Sequence, residues 1–164
     1  MKTKVAIACQ GGGSHAAFTA GALEALFANK IQDKFEIVGL SGTSGGALGA
    51  ALVWYAIKKG ENPVRYLLEF WQDNTAQTAQ ERFFNDFAIK SLEYTSKGYL
   101  PQYNTSPSSP VLQSFMKLAT VGLRDRFTNF KELLETHINF EEVASWGVQP
   151  QAPVLLLGAV NILT

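Results

Sequence analysis

A serine stands between glycines at the point where the sequence predicts an abrupt change from strand to helix. Residues 37–52 read IVGLSGTSGGALGAAL, an apolar run followed by small residues and an alanine-rich helical pattern. The stretch GTSGG fits G-x-S-x-G, the sequence of a nucleophile elbow. In such a turn a Cβ at Gly42 or Gly46 would collide with the neighbouring chain. The pattern predicts Ser44 as an exposed nucleophile at a helix N-terminus, where backbone dipoles favour negative charge; the alternative is a small-residue loop that packs a helix tightly on a strand.

Three consecutive glycines, Gly11, Gly12 and Gly13, offer the second part of such a site. They follow the apolar run 4–9 and precede a helical pattern that begins at Ser14, a candidate N-cap residue. Several backbone N–H groups can converge in such a loop and hold an oxyanion. Because parallel strands end at the same edge of a sheet, the glycine loop and the elbow are expected to face one crevice.

The glycine loop also permits a nucleotide-binding interpretation. Residues 11–16 fit the dinucleotide fingerprint G-x-G-x-x-[GA]. That fingerprint requires an acidic residue at the end of the second strand, whereas Asp33 and Glu36 precede the apolar part of this strand. The sequence contains no G-K-[ST] phosphate loop. The loop therefore suits an oxyanion better than a pyrophosphate, and a nucleotide-binding or regulatory module without ester hydrolysis stays the alternative function.

The order of the elements predicts an α/β protein. The βαβα series at the start of the chain is typical of a parallel sheet covered by helices. Residues 98–110 contain three prolines and are predicted to form a loop. The predicted strands are 4–9, 35–40 and 154–160, and the predicted helices begin at 14, 44, 64, 78, 110, 130 and 140 and end near 28, 59, 71, 94, 123, 137 and 146.

Composition excludes several classes of protein. The 164 residues contain 14 basic and 14 acidic side chains, so no net charge attracts nucleic acid, and none is expected as a partner. A single cysteine, Cys9, gives no disulfide framework and is expected to be a buried small residue. The apolar stretch 5–8 is too short for a signal peptide, and no run approaches the about 20 residues of a membrane span. A cytoplasmic protein is expected.

Two blocks of the sequence resemble the patatin-like phospholipases. QGGGSHAAFTAGAL resembles their glycine-rich oxyanion loop, and GLSGTSGGALGAAL resembles their serine elbow; the segment 137–164 is similar, more weakly, to a later helix and return strand. The resemblance implies an α/β three-layer sandwich with a mostly parallel sheet between helices, here one domain over 1–164 that lacks its C-terminal part and carries a helical insertion at about 63–146.

The same resemblance implies hydrolysis of lipid acyl esters by a Ser–Asp dyad, without a metal or other cofactor. Ser44 matches the family's nucleophile and Gly11–Gly13 match its oxyanion loop. A lipid acyl ester is then the expected substrate, with transient contact to a membrane surface. Acyl transfer to a lipid acceptor is a further alternative to hydrolysis.

Two features depart from the family's pattern. His15 stands nearest to the place where the family carries Arg or Lys, and it is expected to cap or line the helix start. The family's catalytic aspartate lies in D-G-[GA], and no aspartate here is followed by glycine. Ser44, Asp125 and His137 have the chain order of an elbow triad, but a histidine on a short helix is ordinarily a surface or core-edge residue. No aspartate is therefore assigned.

These departures lead to an expectation about the last predicted strand. Residues 154–160 are apolar throughout and are expected to be buried on both faces, which requires neighbouring strands from beyond residue 164 or from a partner. An uncovered sheet edge would otherwise favour self-association. The 164 residues alone are expected to be catalytically incompetent.

The apolar face of residues 111–123 suits either the core or a lid that contacts lipid.

Overall fold

A computed structural model describes residues 1–101, 109–147 and 153–159. Most of the predicted loop at 98–110 lies outside the described residues. The elements, in chain order, are β1 (Thr3–Cys9), a 3-10 turn (Gly13–His15), α1 (Ala16–Ala28), α2 (Ile31–Lys34), β2 (Phe35–Thr43), α3 (Gly45–Lys59), α4 (Pro63–Asp73), α5 (Ala79–Ser96), α6 (Pro110–Ala119), α7 (Asp125–Thr128), α8 (Phe130–His137), α9 (Phe140–Ser145) and β3 (Val154–Gly158).

The three strands form a parallel sheet in the order β1-β2-β3. Ile7 pairs with Leu40, and Leu40 pairs with Leu155, so these three residues lie in one row across the sheet. Helix α3 packs along β2, and α1 packs against α3. Leu40 is only 1% exposed, which places this row on the face that the helices cover. The predicted α/β class with a parallel sheet is confirmed.

The chain forms two compact units. The first comprises the described residues of Met1–Gln72 and Leu134–Thr164, and the second comprises those of Asp73–Leu133. The sequence of the second unit lies within the predicted insertion at about 63–146. The buried apolar side chains of the first unit come mainly from α1, α3 and α4: Ala16, Ala20, Leu23, Phe27, Ala50, Leu52, Val53, Tyr55, Ala56, Tyr66, Leu67 and Phe70.

Several boundaries differ from those predicted. β2 continues to Thr43, three residues beyond the predicted end. Helix α1 begins at Ala16 after a 3-10 turn, so Ser14 does not occupy the N-cap position. Helix α6 ends at Ala119 because a turn with Gly122 at φ 82° follows it. The short helices α2 and α7 were not predicted. In contrast, Gly60 ends α3 in the left-handed conformation, as expected (φ 68°).

Strand β3 is more exposed than its apolar sequence predicts. Val154, Leu156 and Leu157 are 57%, 64% and 49% exposed. Within the part of the chain that the structure describes, β3 pairs with β2 alone. The burial expected for this strand is therefore absent among the described residues, and a neighbouring strand on its other edge stays a prediction.

The apolar face predicted for residues 111–123 is described only in part. Leu118 is 78% exposed on α6, so this residue does not face a core. The predicted face also includes residues whose side chains lie outside the described set: Val111, Leu112 and Phe115. The core face and the lid both stay predictions.

A buried ion pair stabilises the second unit. The side chain of Glu81 is fully buried, and the guanidinium of Arg124 donates to both of its oxygens, at 2.6 Å from Nε and 3.1 Å from Nη2. Glu81 also accepts from the backbone N–H of Thr78, whose hydroxyl in turn accepts from the N–H of Glu81 in a capping box. The hydrogen bond from Arg124 lowers the pKa of Glu81 to about 2, against the opposing effect of burial.

Replacing Arg124 by Met should lower the free energy of unfolding by about 3 kcal/mol at neutral pH, because it leaves a buried carboxylate without its partner. The folded-state pKa of Glu81 lies below its ordinary value of 4.5, so this stabilisation is complete above pH 4.5 and declines as the pH falls toward 2. The difference in urea midpoint between wild type and R124M should shrink over that range.

The control is Lys90→Met, which removes an exposed cation from the same unit and should change stability by less than about 0.5 kcal/mol. A difference between wild type and R124M that does not depend on pH would contradict the assignment.

Candidate active site

Ser44 occupies the turn between β2 and α3 in a strained backbone conformation. Its φ is 54° and its ψ is −132°, outside the left-handed helical region that Lys30 adopts at φ 53° and ψ 50°. Such conformations are costly for residues with a Cβ and concentrate at functional sites. Ser44 is the N-cap residue of α3, yet its side chain makes no capping hydrogen bond and is exposed. The turn thus leaves the hydroxyl available at a helix N-terminus.

Two glycines permit this turn because the backbone on either side of it is in close contact. A Cβ at Gly42 would lie 2.5 Å from the carbonyl carbon and oxygen of Gly46. A Cβ at Gly46 would overlap the carbonyl oxygen of Cys9 and lie 2.6 Å from that of Gln10. Strand β1, strand β2 and helix α3 therefore meet here without room for side chains.

The glycine loop lies directly beside the elbow. A Cβ at Gly11 would overlap the carbonyl oxygen of Thr43 and lie 2.9 Å from the Cβ of Ser44. Gly12 and Gly13 have φ values of 150° and 57°, which side chains disfavour. Cys9 pairs with Gly42, so both loops leave the sheet at the same edge. The structure brings Gly11–Gly13 and Ser44 together.

Comparison with known proteins identifies the family of the chain. The sequence profile of the family Patatin, described as patatin-like phospholipase, matches residues 7–152. The chain belongs to this family. Membership supports a lipid acyl hydrolase in general and implies lipid substrates. No curated protein and no solved structure matches the chain.

His15 and Cys9 lie on either side of the glycine loop. His15 ends the 3-10 turn, is exposed, and makes no side-chain cap for α1. Its backbone N–H donates to the carbonyl of Gly12 at 3.1 Å, and its Nδ1 lies 3.2 Å from the same oxygen. Cys9 is 6% exposed, and burial raises the pKa of its thiol. Cys9 is therefore a buried structural residue, as expected.

The triad of Ser44, Asp125 and His137 does not form around the elbow. The ring of His137 lies 5.6 Å from that of Phe70 and lines a cavity of about 570 Å³ together with Tyr55. Tyr55 is eleven residues beyond Ser44 on α3, which corresponds to about 16 Å along the helix. Asp125 belongs to the second unit. Among the described residues, no hydrogen bond to the hydroxyl of Ser44 is present.

The dinucleotide interpretation of the glycine loop stays an alternative. In a dinucleotide site the first glycine permits a tight turn and the second leaves space for the pyrophosphate to approach the backbone. Here the space next to Gly11, the first glycine, is filled by the carbonyl of Thr43 and the side chain of Ser44, whereas nothing lies within 4 Å of the Cβ position of Gly13, the second. The missing side chain at Gly11 thus accommodates the elbow.

A cavity lies at this edge of the sheet, where the sequence predicted a crevice, but the contribution of β3 to it was not predicted. Its volume is about 640 Å³, and the ends of all three described strands line it. Leu156 and Leu157 contribute from β3, which joins the sheet more than 100 residues after β2. No local sequence signal reports this pairing. The lining residues are Ala8, Cys9, Gln10, Ser41, Gly42, Thr43, Leu156, Leu157 and Gly158.

A metal-binding cluster and a membrane-spanning helix are both absent from the described ranges. No group of three or more His, Cys, Asp or Glu side chains is arranged there to hold a metal ion. None of the helices in residues 1–101 and 109–147 has the length and apolar character needed to cross a membrane.

Replacing Gly46 by Ala in this member of the patatin-like family should lower the free energy of unfolding by about 2 kcal/mol or more, because the new Cβ meets two backbone carbonyls that cannot rotate away. Gly21→Ala is the matched control. Gly21 is exposed in the middle of α1 with nothing within 4 Å of its Cβ position, so this change should stabilise by about 0.5–1 kcal/mol. Urea denaturation measures both. Equal stability of G46A and wild type would contradict the close approach.

Proposed function

We propose that this protein is a serine lipid acyl hydrolase of the phospholipase or lysophospholipase type. Ser44 is the nucleophile, and the backbone amides of Gly11–Gly13 hold the oxyanion. The observation that carries the proposal is the position of Ser44 beside the glycine loop. Its backbone is strained, its side chain makes no capping hydrogen bond, and its Cβ lies 2.9 Å from the Cβ position of Gly11.

The chemistry follows from this arrangement. The Oγ of Ser44 attacks the ester carbonyl carbon and gives its proton to a base, and the carbonyl oxygen becomes an oxyanion that accepts hydrogen bonds from backbone N–H groups. Collapse of the tetrahedral intermediate expels the alcohol, which takes the proton back from the base, and leaves an acyl-enzyme. Water, which gives a proton to the same base, then attacks the acyl-enzyme and releases the fatty acid and Ser44. The N-terminus of the fifteen-residue helix α3 adds a favourable dipole near the developing charge.

The cavity at the strand ends suits the apolar acyl group of the substrate. Its volume of about 640 Å³ falls within the usual range for small-molecule sites, and Leu156 and Leu157 supply apolar surface. Thr43, which precedes the nucleophile, is part of its lining. Ser44 itself is not part of the lining, so the carboxyl end of a bound acyl chain would have to extend past Thr43 to reach the nucleophile.

The base is the missing part of the proposed site. Asp33 is the aspartate of the first unit, and it precedes β2, so the nine residues of this strand separate it from Ser44 by about 30 Å. His137 lies beside Tyr55, which is about 16 Å along α3 from Ser44. We propose that a carboxylate from outside residues 1–164 supplies the base, as the Ser–Asp dyad of the family implies.

The isolated 164-residue chain should therefore hydrolyse p-nitrophenyl butyrate no faster than its Ser44→Ala variant, because loss of a base typically costs about 10²–10⁴-fold in rate. If the 164-residue monomer hydrolyses the ester and the S44A substitution abolishes this activity, the base lies within these residues.

A fluorophosphonate probe tests the nucleophile in the protein at its natural length. Wild-type protein should form a covalent adduct whose mass maps to the peptide that contains Ser44, and S44A should not be labelled. Ser96→Ala, a serine at the end of α5, is the matched control and should label like wild type. Equal labelling of S44A and wild type would contradict the proposal. Product analysis with a lysolipid acceptor then distinguishes hydrolysis from acyl transfer.

A further inference from the structure

The orientation of one peptide in the glycine loop depends on His15. The carbonyl oxygen of Gly12 faces two groups of this residue, its backbone N–H at 3.1 Å and its ring Nδ1 at 3.2 Å. The ring interaction is a hydrogen bond when Nδ1 carries the proton, since a carbonyl oxygen can only accept. His15 therefore holds the Gly12 carbonyl from two directions.

This carbonyl belongs to the same peptide as the N–H of Gly13. The peptide is trans, so its C=O and N–H point in opposite directions. Fixing the Gly12 carbonyl toward His15 consequently fixes the Gly13 N–H on the opposite side of the peptide plane. Within the described residues this N–H is among the donors at the start of the 3-10 turn that have no partner inside the turn.

Glycine makes such an anchor necessary. Gly12 and Gly13 both have positive φ values, and neither has a Cβ that restricts rotation of the peptide between them. Catalytic donors gain most of their effect from being oriented before the reaction begins. A glycine loop without an external hydrogen bond would have to be ordered in each catalytic cycle.

We infer that His15 is a positioning residue of the oxyanion loop: its Nδ1–H donates to the Gly12 carbonyl and thereby orients the Gly13 N–H toward the oxyanion. The inference rests on the proposed function of Ser44. It assigns His15 a neutral hydrogen-bonding role, which differs from the charge that Arg or Lys would bring at this point of the loop.

Three substitutions separate the hydrogen bond from charge. His15→Ala removes the donor, and kcat for ester hydrolysis by the protein at its natural length should fall by about 10-fold or more, with KM changed less than about twofold. His15→Asn places an amide N–H near the position of Nδ1 and should restore kcat to within about threefold of wild type. His15→Lys brings a cation without this donor geometry and should be as slow as H15A.

A measurement that needs no catalysis tests the bond itself. The chain has two histidines, so ¹⁵N-histidine NMR with H15A for assignment reports the tautomer of His15 directly. At a pH where the ring is neutral, the Nδ1–H form should predominate; a ring protonated on Nε2 alone would overturn the inference.

The outcomes also separate this inference from the proposed function. If H15A is as active as wild type, the positioning role of His15 is wrong. The same holds if H15K has wild-type activity and H15N does not. In both cases the proposed role of Ser44 is unaffected. Wild-type protein that forms no adduct at Ser44 and hydrolyses no ester overturns both.

Discussion

Three backbone segments meet at the elbow at distances that leave no room for side chains, and the rest of the site depends on this contact. Gly46, in the first turn of α3, lies under the carbonyls of Cys9 and Gln10 at the end of β1, and Gly42 lies against Gly46. Because β1 and β2 are paired up to these residues, neither strand can move away. The chain must turn within one residue at Ser44. Ser44 therefore adopts backbone angles that are unfavourable for a residue with a Cβ and that an unconstrained serine would avoid.

The same contact determines the electrostatics of the site. A serine at an N-cap position usually accepts a hydrogen bond from the helix, worth about 1 kcal/mol, but the side chain of Ser44 makes none. The Ser44 side chain therefore does not occupy the first amides of α3, which lie beside the glycine loop. The missing cap makes the start of α3 less stable, and this is the point where a negative charge would develop in an acyl-transfer reaction.

The sequence predicted those parts of the site that depend on local chain geometry. Glycines two residues before and after Ser44, and three glycines after β1, are constraints that act within a few residues. Contacts between distant segments left no such signal. The partner of Glu81 is Arg124, 43 residues later, and the exposure of Leu156 follows from a strand pairing that joins residues more than 100 positions apart. The hydrogen bond between His15 and the Gly12 carbonyl could not be predicted, because the sequence predicted an α-helix where the structure has a 3-10 turn.

The structure of a phosphonate adduct of Ser44, determined by crystallography on the protein at its natural length, tests the central claim most directly. The phosphoryl oxygen stands in for the oxyanion of the tetrahedral intermediate. It should lie about 2.7–3.1 Å from at least one backbone nitrogen of the Gly11–Gly13 loop. A phosphoryl oxygen that faces solvent, with no nitrogen of this loop within hydrogen-bond distance, would contradict the role of the loop and the proposed function of the elbow.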